Sequence, residues 1–302
     1  MNIETTSISK TRADFRTTVL AYLEVTKPRS VVLLVFTALA TMVVAGAING
    51  PISTFQFVAA IAAVTLACAG ANAVSCYIDR DLDASMIRTR KRPIPDGRIN
   101  PPVRALYWGL FLFVSSLILG WTVNPIAFAC LWGGMIGYVG IYSLWLKRRS
   151  SWNIILGGFS GGLPALFGWT AVTGKVDLLP LLIAALVVLW IPNHIWSLAI
   201  FYRDDYARVK VPMLPVVCEA KKALHCLLST VILMVLFSIL IYFAGSWGTV
   251  YLMTAILTGL SAIGLSTYVY LRPTPQNAWL LFKFSSPYLF LLFLGMMADA
   301  WL

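Results

Sequence analysis

The chain has 302 residues, of which 59% are hydrophobic and only 12% charged, yet its formal net charge is +11. Soluble domains are about 45–50% apolar, and 23 basic with 12 acidic side chains are too few to form a polar surface on a globule of this size. The same hydrophobicity excludes a disordered chain. Basic residues lie between apolar runs, which argues against nucleic-acid binding. The composition therefore predicts an all-α integral membrane protein.

Nine apolar runs follow one another along the chain, each near the roughly 20 residues that a helix needs to cross a bilayer. They are continuously apolar and lack the alternation of barrel strands, so we predict helices. The predicted spans are residues 30–48, 55–78, 104–122, 124–146, 152–171, 179–202, 224–245, 248–270 and 278–300. Residues 1–302 are therefore predicted to form one membrane-embedded domain, with a flexible cytoplasmic tail at residues 1–25.

Lysine and arginine are concentrated in alternate loops. Of the 23, 21 lie before the first predicted span or in the regions after the second, fourth, sixth and eighth spans. Lys175 lies on the opposite side, and Lys283 lies inside the last span. Basic loops remain in the cytoplasm, so the N-terminus is predicted to be cytoplasmic and the C-terminus external, in a multi-pass protein of the plasma membrane.

A polar stripe ends the second predicted span. Asp79 and Asp83 are one helical turn apart and share a face with Asn72 and Ser75. Carboxylates are expensive near a membrane and mark functional positions. Two carboxylates at this spacing repel each other unless a cation lies between them, and Mg²⁺ commonly binds one or two carboxylates together with substrate phosphates. The stripe predicts a magnesium site at Asp79 and Asp83.

A basic segment follows this stripe. Arg88, Arg90 and Arg92 offer guanidinium groups suited to phosphate oxygens. An acidic stripe beside a basic loop at the bilayer surface fits a lipid diphosphate. The alternative is that the aspartates and arginines only pair with one another and that the basic loop only orients the chain.

A second polar group lies in the sixth predicted span. His194 follows Pro192 on a face that leads to Asp205, while Asp204 shares a face with Asn193. Since the second and sixth spans both end at the cytoplasmic side, we predict that their polar faces form opposite walls of one cavity that opens to the cytoplasm. The alternative for His194 is a hydrogen bond that packs two helices.

A glycine run, residues 157–162 with Phe159 and Ser160 inside it, contains two G-x-x-x-G registers. Such registers typically let two membrane helices approach closely. A groove for an isoprenoid tail is the alternative.

These segments together resemble the UbiA-type intramembrane prenyltransferases. Residues 77–83 (Tyr-Ile-Asp-Arg-Asp-Leu-Asp), with Arg-Thr-Arg at 88–90 and Arg-Pro-Ile-Pro at 92–95, are similar to the first aspartate-rich motif of the haem-directed branch. Residues 194–206 resemble its second motif, and the likeness is close over about residues 26–220. Two departures stand out. Ser75 occupies a position where the family usually has Asn, and adjacent Asp204 and Asp205 replace the wider family's D-x-x-x-D.

The resemblance implies a nine-helix bundle around a central cavity. It also implies transfer of the farnesyl group of farnesyl diphosphate to the 2-vinyl group of protohaem IX (haem B), with addition of water, giving haem O and diphosphate. The implied cofactor is Mg²⁺. The implied partners are farnesyl diphosphate, haem B and membrane lipids, with a haem A synthase or a terminal oxidase assembly protein as a further candidate. The alternatives are an aromatic or chlorophyll-like acceptor, or a haem or lipid transporter without enzymatic activity.

The resemblance and the polar pattern together give the predicted site. Asp79 and Asp83 would hold the metal, and they join Asn72 and Asp205 as the predicted catalytic residues. The predicted substrate-binding residues are Arg88, Arg90, Arg92, Tyr142, Lys147, His194, Trp196, Arg203 and Asp204. Tyr142 and Trp196 could face an allylic cation with their rings. His194 could ligate the haem iron or contact the porphyrin.

Overall fold

The computed structural model describes residues 15–245 and 247–302, and its regular structure there is entirely helical. Within that part of the chain, nine helical stretches are long and apolar enough to cross a membrane, which confirms the predicted spans. The helices are α1 (Phe15–Glu24), α2 (Pro28–Asn49), α3 (Thr54–Ile78), α4 (Arg80–Ser85), α5 (Val103–Val123), α6 (Pro125–Met135), a π-helix (Ile136–Leu146), α7 (Asn153–Gly157), α8 (Phe159–Thr173), α9 (Leu178–Phe201), α10 (Arg203–Arg208), α11 (Leu214–Val217), α12 (Ala220–Ala244), α13 (Thr249–Leu271) and α14 (Pro275–Asp299).

Polar caps and prolines begin several of the long helices. Ser53 and Gln56 form a reciprocal capping box at the start of α3. Asn124 and Thr274 accept backbone N–H groups at the starts of α6 and α14. A proline occupies the first turn of α2, α6 and α14, where its missing N–H costs nothing. These local signals explain why the observed ends lie close to the predicted ones.

The N-terminal region differs from the predicted flexible tail. Residues 15–24 form helix α1, and the side chains of Ala21 and Val25 are fully buried. They pack against Ala73 and Cys76 of α3, and the Cys76 thiol lies 3.5 Å from the Val25 carbonyl oxygen. The burial of these apolar side chains stabilises helix α1 against α3. The rest of the predicted tail, residues 1–14, lies outside the described residues.

The helices pack into one bundle through close backbone approaches. Helix α3 packs along α5, where a Cβ added to Gly70 would lie 2.6 Å from the carbonyl oxygen of Gly109. Helix α8 packs between α2 and α9, and α14 packs on α9, α13 and α2. The glycine run leads into the first turn of α8 and lies at one of these helix contacts.

Gly162 of that run makes the close approach that the G-x-x-x-G pattern predicts. A Cβ at this position would lie 2.5 Å from the backbone oxygen of Ala184 in α9, and a backbone atom cannot move aside as a side chain can. We expect Gly162→Ala to lower the free energy of unfolding by about 1–3 kcal/mol. The measurement is the thermal unfolding midpoint in detergent. Gly264→Ala is the control, because nothing lies within 4 Å of a Cβ there; equal midpoints for the two variants would contradict the prediction.

Candidate active site

A cavity of about 560 Å³ lies inside the bundle. Its charged part is lined by residues at the beginning of α2, the end of α3 and the end of the π-helix, which therefore meet at one end of the bundle. Its deeper part is apolar and is lined by residues that include Leu34, Val64, Leu131, Leu163 and Phe167. A ligand with an anionic head and a long apolar tail matches this distribution.

Two predicted metal ligands, Asp79 and Asp83, line the charged part and are 2% and 4% exposed. Lys147 Nζ lies 2.6 Å from Asp79 Oδ2, and Arg92 Nη1 lies 2.7 Å from Asp83 Oδ2. The pairing of acidic with basic side chains, one of the two interpretations of this cluster, is thus present. These ion pairs leave one carboxylate oxygen unpaired, because the buried Asp79 Oδ1 has no hydrogen-bond partner among the described residues.

The donor set at the two aspartates fits a hard divalent cation. Both groups are carboxylates on the cavity wall, and one oxygen is buried and unpaired. No cluster of three or more His, Cys, Asp or Glu side chains suited to a metal occurs in the described ranges. An ion here would therefore take its remaining ligands from phosphate oxygens and water, as Mg²⁺ usually does. It would share Asp83 with Arg92.

The polar stripe beside Asp79 is held by hydrogen bonds to the π-helix. The Tyr138 hydroxyl donates to Asn72 Oδ1 at 3.3 Å. Ser75 Oγ donates to Asp79 Oδ2 at 3.3 Å and accepts from Ser143 Oγ at 3.4 Å. Ser75 therefore hydrogen-bonds the Asp79 carboxylate from the position where the family usually has Asn. The structure brings Asn72 to the cavity wall, as the stripe predicted.

The π-helix carries Tyr138 and Tyr142 to the cavity, and Lys147 follows at its C-terminal end. Tyr138 and Tyr142 stack with ring centroids 5.9 Å apart, and the Lys147 ammonium lies 5.9 Å from the Tyr142 centroid. The backbone N–H of Lys147 donates to the carbonyl of Tyr142 at 2.9 Å, the five-residue spacing of a π-helix. Such segments are frequent at functional sites. The sequence predicted Tyr142 and Lys147 but missed Tyr138.

Cations exceed anions on the cavity wall. Two basic residues missed by the prediction, Lys27 and Arg29, line it together with Arg88, Arg92 and Lys147. Lys27 Nζ donates to the Tyr138 hydroxyl at 3.4 Å. Among the described residues, the anionic side chains on this wall are Asp79 and Asp83, so the five cations favour an anionic ligand. In the sequence, Pro28 follows Lys27 and marks the start of a membrane span. This was the signal that Lys27 lies at the N-terminus of a helix.

Arg88 is held at the cavity by the residues around α10. Its Nη2 donates to the Tyr206 hydroxyl at 3.4 Å, and its guanidinium lies 5.5 Å from the Tyr202 ring centroid. Its Nε is buried without a partner among the described residues. Arg88 therefore keeps donor capacity for a ligand.

Asp205 lies behind the basic loop. Its Oδ1 and Oδ2 accept the backbone N–H groups of Ile87 at 3.2 Å and Arg88 at 3.1 Å, and Arg208 Nη1 lies 3.3 Å from Oδ1. The carboxylate is 4% exposed and is absent from the cavity lining. Its two oxygens are thus used to fix the loop that carries Arg88. The structure therefore places Asp205 at the backbone of this loop and outside the cavity lining, whereas the sequence had predicted a catalytic residue.

Four other predicted substrate-binding residues lie away from the cavity. Arg90 is exposed. Trp196 is 1% exposed and packs in an apolar cluster with Met86 and Ile154. Arg203 and Asp204 are exposed and line a separate pocket of about 240 Å³. The face of α9 that does reach the cavity carries His194, Ile195 and Leu198, and it continues to Tyr202.

Asp81 points away from the cavity and forms an exposed ion pair. Arg148 Nη2 lies 2.7 Å from its Oδ1. Hydrogen bonding from Arg148 lowers the pKa of the Asp81 carboxyl, so the pair stays charged at neutral pH. Because its side chain is 60% exposed, Asp81 offers a control for substitutions at its two aspartate neighbours.

Known sequences similar to this chain are prenyltransferases. The profile of the UbiA prenyltransferase family matches residues 33–294. A protein named protoheme IX farnesyltransferase from Desulforudis audaxviator (strain MP104C) is 69% identical over 291 residues, covering 96% of this chain and 92% of that protein. Protoheme IX farnesyltransferase 2 from Cenarchaeum symbiosum (strain A) is 42% identical, covering 93% and 96% respectively.

Solved structures share the fold. A digeranylgeranylglyceryl phosphate synthase superposes with a TM-score of 0.77 at 20% identity, covering 94% of this chain and 99% of that one. A UbiA homologue from Archaeoglobus fulgidus, bound to DMAPP and Mg²⁺, has a TM-score of 0.64 at 14% identity and covers 90% and 98%. The fold is thus UbiA-like, and its apolar helices make the chain a multi-pass integral membrane protein. By the extent of the family match and the identity to these relatives, the chain belongs to the UbiA prenyltransferase family.

Proposed function

We propose that this protein transfers the farnesyl group of farnesyl diphosphate to the 2-vinyl group of haem B, giving haem O and diphosphate. The observation that carries the proposal is the 69% identity, over 96% of the chain, to a protein named protoheme IX farnesyltransferase. The cavity supports it independently, since one end is cationic and the remainder apolar. A farnesyl diphosphate has the same division between head and tail.

The diphosphate would bind at the charged end. Mg²⁺, held by Asp79 and Asp83, would neutralise the diphosphate and act as a Lewis acid on the leaving group. The Archaeoglobus fulgidus homologue bound to DMAPP and Mg²⁺ supports this choice of ion. Arg88, Arg92 and Lys147 are the chain's own donors to the negative charge that grows on the leaving oxygen, where fixed donors stabilise a transition state most.

The farnesyl carbon becomes cationic as its bond to the diphosphate oxygen breaks. The bonding electrons leave with the diphosphate. The stacked rings of Tyr138 and Tyr142 lie on the cavity wall beside Lys147, where their faces can stabilise the allylic cation. The terminal vinyl carbon of haem then bonds to the farnesyl carbon. Water captures the cation left next to the porphyrin ring, which forms the hydroxyl group of haem O and releases one proton.

We place the charged end of the cavity at the cytoplasmic surface, with the N-terminus inside and the whole chain acting as one catalytic domain. The charge count supports this, because 21 of 23 basic residues lie on one side of the predicted topology. The product is a membrane-embedded haem. We therefore expect delivery to a membrane partner, for which a haem A synthase and a terminal oxidase assembly protein are candidates.

Purified protein incubated with farnesyl diphosphate, haem B and Mg²⁺ is expected to yield haem O, measured by liquid chromatography with mass detection. EDTA should abolish the product, and added Mg²⁺ should restore it. A parallel reaction with 4-hydroxybenzoate as acceptor should give no prenylated product. Prenylated 4-hydroxybenzoate without haem O would overturn the proposal in favour of an aromatic acceptor. Haem binding without transfer to either acceptor would favour a transporter.

A further inference from the structure

His194 lies in the cavity wall formed by α9 and α14, two helices that pack against each other. Its imidazole contacts two aromatic rings. The Trp190 centroid lies 4.5 Å away at an interplanar angle of 23°, and the Phe282 centroid lies 4.5 Å away at 34°. These two ring contacts restrain the plane of the imidazole. His194 also contacts Ser285 of α14, so the predicted hydrogen bond that packs two helices is present as well.

The hydrogen bonds around His194 favour one tautomer of the imidazole. His194 Nδ1 lies 2.7 Å from Ser285 Oγ. Ser285 Oγ also lies 2.7 Å from the Phe282 carbonyl oxygen, which can accept its single hydrogen, and in that arrangement Ser285 Oγ accepts from His194. Nδ1 then carries the proton, and Nε2 keeps its lone pair. Trp190 Nε1 donates to the Ser285 carbonyl at 2.7 Å, so the same residue also holds one of the two flanking rings.

The lone pair on Nε2 is available to a ligand. Nε2 has no hydrogen-bond partner within residues 15–245 and 247–302, and it does not belong to the buried unpartnered atoms. His194 is one of the residues that line the cavity, so an Nε2 that is unpaired and not fully buried is accessible to a ligand there. A neutral imidazole held through its other ring nitrogen is the usual form of a metal-ligating histidine.

We propose that Ser285, Trp190 and Phe282 hold His194 in the Nδ1-protonated form, so that Nε2 is the axial ligand of the iron of the porphyrin acceptor. This rests on the proposed function, because it takes haem B as the acceptor. His194 contacts the substrate, and Ser285 is a positioning residue. The wall that binds the porphyrin is then α9 and α14, while the wall formed by α3 and the π-helix binds the diphosphate.

The assignment gives the acceptor a defined place. Diphosphate and haem propionates are both anionic and would otherwise compete for the same cationic residues. An iron–imidazole bond on a second wall keeps the two substrates at separate places. It also sets the orientation of the porphyrin relative to the allylic carbon. The rings of Trp279 and Phe282, which stack 4.9 Å apart and line the cavity, add aromatic surface to this wall for contact with the macrocycle.

The test is optical and electron paramagnetic resonance titration of the purified protein with ferric haem B. Wild-type protein should give the spectrum of imidazole-ligated ferric haem. His194→Ala should lose that spectrum and bind haem at least tenfold more weakly, and millimolar imidazole should restore the spectrum. His225→Ala is the matched control, since His225 is the chain's other histidine and pairs instead with Lys221 and Tyr270. Metal-free protoporphyrin IX should bind wild type and His194→Ala equally.

Ser285 has its own pair of variants. Ser285→Ala removes the acceptor for Nδ1–H, so it should weaken haem binding about three- to tenfold and change the ligand-field signature of the iron. Ser285→Thr keeps the hydroxyl and should restore both. A role in packing alone would lower the thermal midpoint without changing the spectrum.

The outcomes separate the two proposals. Identical haem spectra for wild type, His194→Ala and Ser285→Ala, with haem O still formed by wild type, would overturn the axial-ligand assignment and leave the proposed function standing. Failure of wild type to form haem O would instead overturn the proposed function. Loss of the spectrum in His194→Ala, its recovery with imidazole and its retention in His225→Ala would support the assignment even if catalysis were slow.

Discussion

Asp79→Asn and Asp83→Asn are each expected to lower kcat/KM for haem O formation by at least about 100-fold. A loss of this size corresponds to about 2.7 kcal/mol of transition-state stabilisation, within the several kcal/mol that a bound metal supplies to a leaving group. Asp81→Asn should stay within about twofold of wild type, because Asp81 is exposed and points to Arg148. The half-saturating Mg²⁺ concentration for the residual activity should rise in Asp79→Asn and Asp83→Asn and remain unchanged in Asp81→Asn.

Folding must be separated from catalysis in this experiment. Asp79→Asn leaves the mostly buried Lys147 ammonium without its carboxylate, and removing one partner of a buried pair costs about 3–5 kcal/mol. The double variant Asp79→Asn/Lys147→Met removes both charges and should recover the thermal midpoint without recovering activity. Wild-type activity in both single aspartate variants would show that the two carboxylates serve only as ion-pair partners of Lys147 and Arg92.

The transmembrane architecture could be predicted from the sequence to within about four residues at each helix end. Crossing a bilayer imposes a minimum apolar length, and polar caps or prolines mark several of the starts. The second span was predicted at residues 55–78 and is observed at Thr54–Ile78. The N-terminal helix Phe15–Glu24 was missed, because it is stabilised by packing against α3 instead of by an apolar run of its own.

The interior of the fourth span could not be predicted. Its change into a π-helix at Ile136–Leu146 depends on five-residue hydrogen bonds that no hydropathy pattern encodes. In this register Tyr142 packs against Gly157 so closely that a Cβ on the glycine would come within 2.8 Å of it. The positions of Tyr138 and Lys147 in the cavity follow from this register.

The candidate site shows where helical extrapolation fails. Asp83 N–H donates to the Asp79 carbonyl at 2.8 Å, so one turn is maintained across the junction of α3 and α4, and both carboxylates reach the cavity. On the other wall, α9 ends at Phe201, and Tyr202 has φ −102° and ψ 31°. A face drawn from Asn193 to Asp204 crosses this break. Asp204 accordingly lies at a separate pocket, although the spacing had placed it with the cavity.

Asp205→Asn should raise KM for farnesyl diphosphate and lower kcat/KM by about 10- to 100-fold. An asparagine can accept only one of the two backbone N–H groups, because its NH₂ would face the other N–H. Losing a hydrogen bond to a charged group costs about 1.5–3 kcal/mol, which corresponds to this range. The loop from Ile87 to Arg88 would then no longer hold the Arg88 guanidinium at the cavity.

Magnesium dependence separates this positioning role from metal ligation. If Asp205 fixes the loop, Asp205→Asn should leave the half-saturating Mg²⁺ concentration within about twofold of wild type, whereas a ligand variant such as Asp83→Asn should raise it. Asp204→Asn provides the neighbouring comparison and should change kcat/KM by less than about threefold, since Asp204 is exposed and lies at the separate pocket. A large increase in the Mg²⁺ requirement of Asp205→Asn would place this carboxylate on the metal and restore a two-motif metal site. An unchanged requirement with a raised KM would instead mean that the chain binds its metal through the first motif and uses the second to hold the arginine that meets the diphosphate.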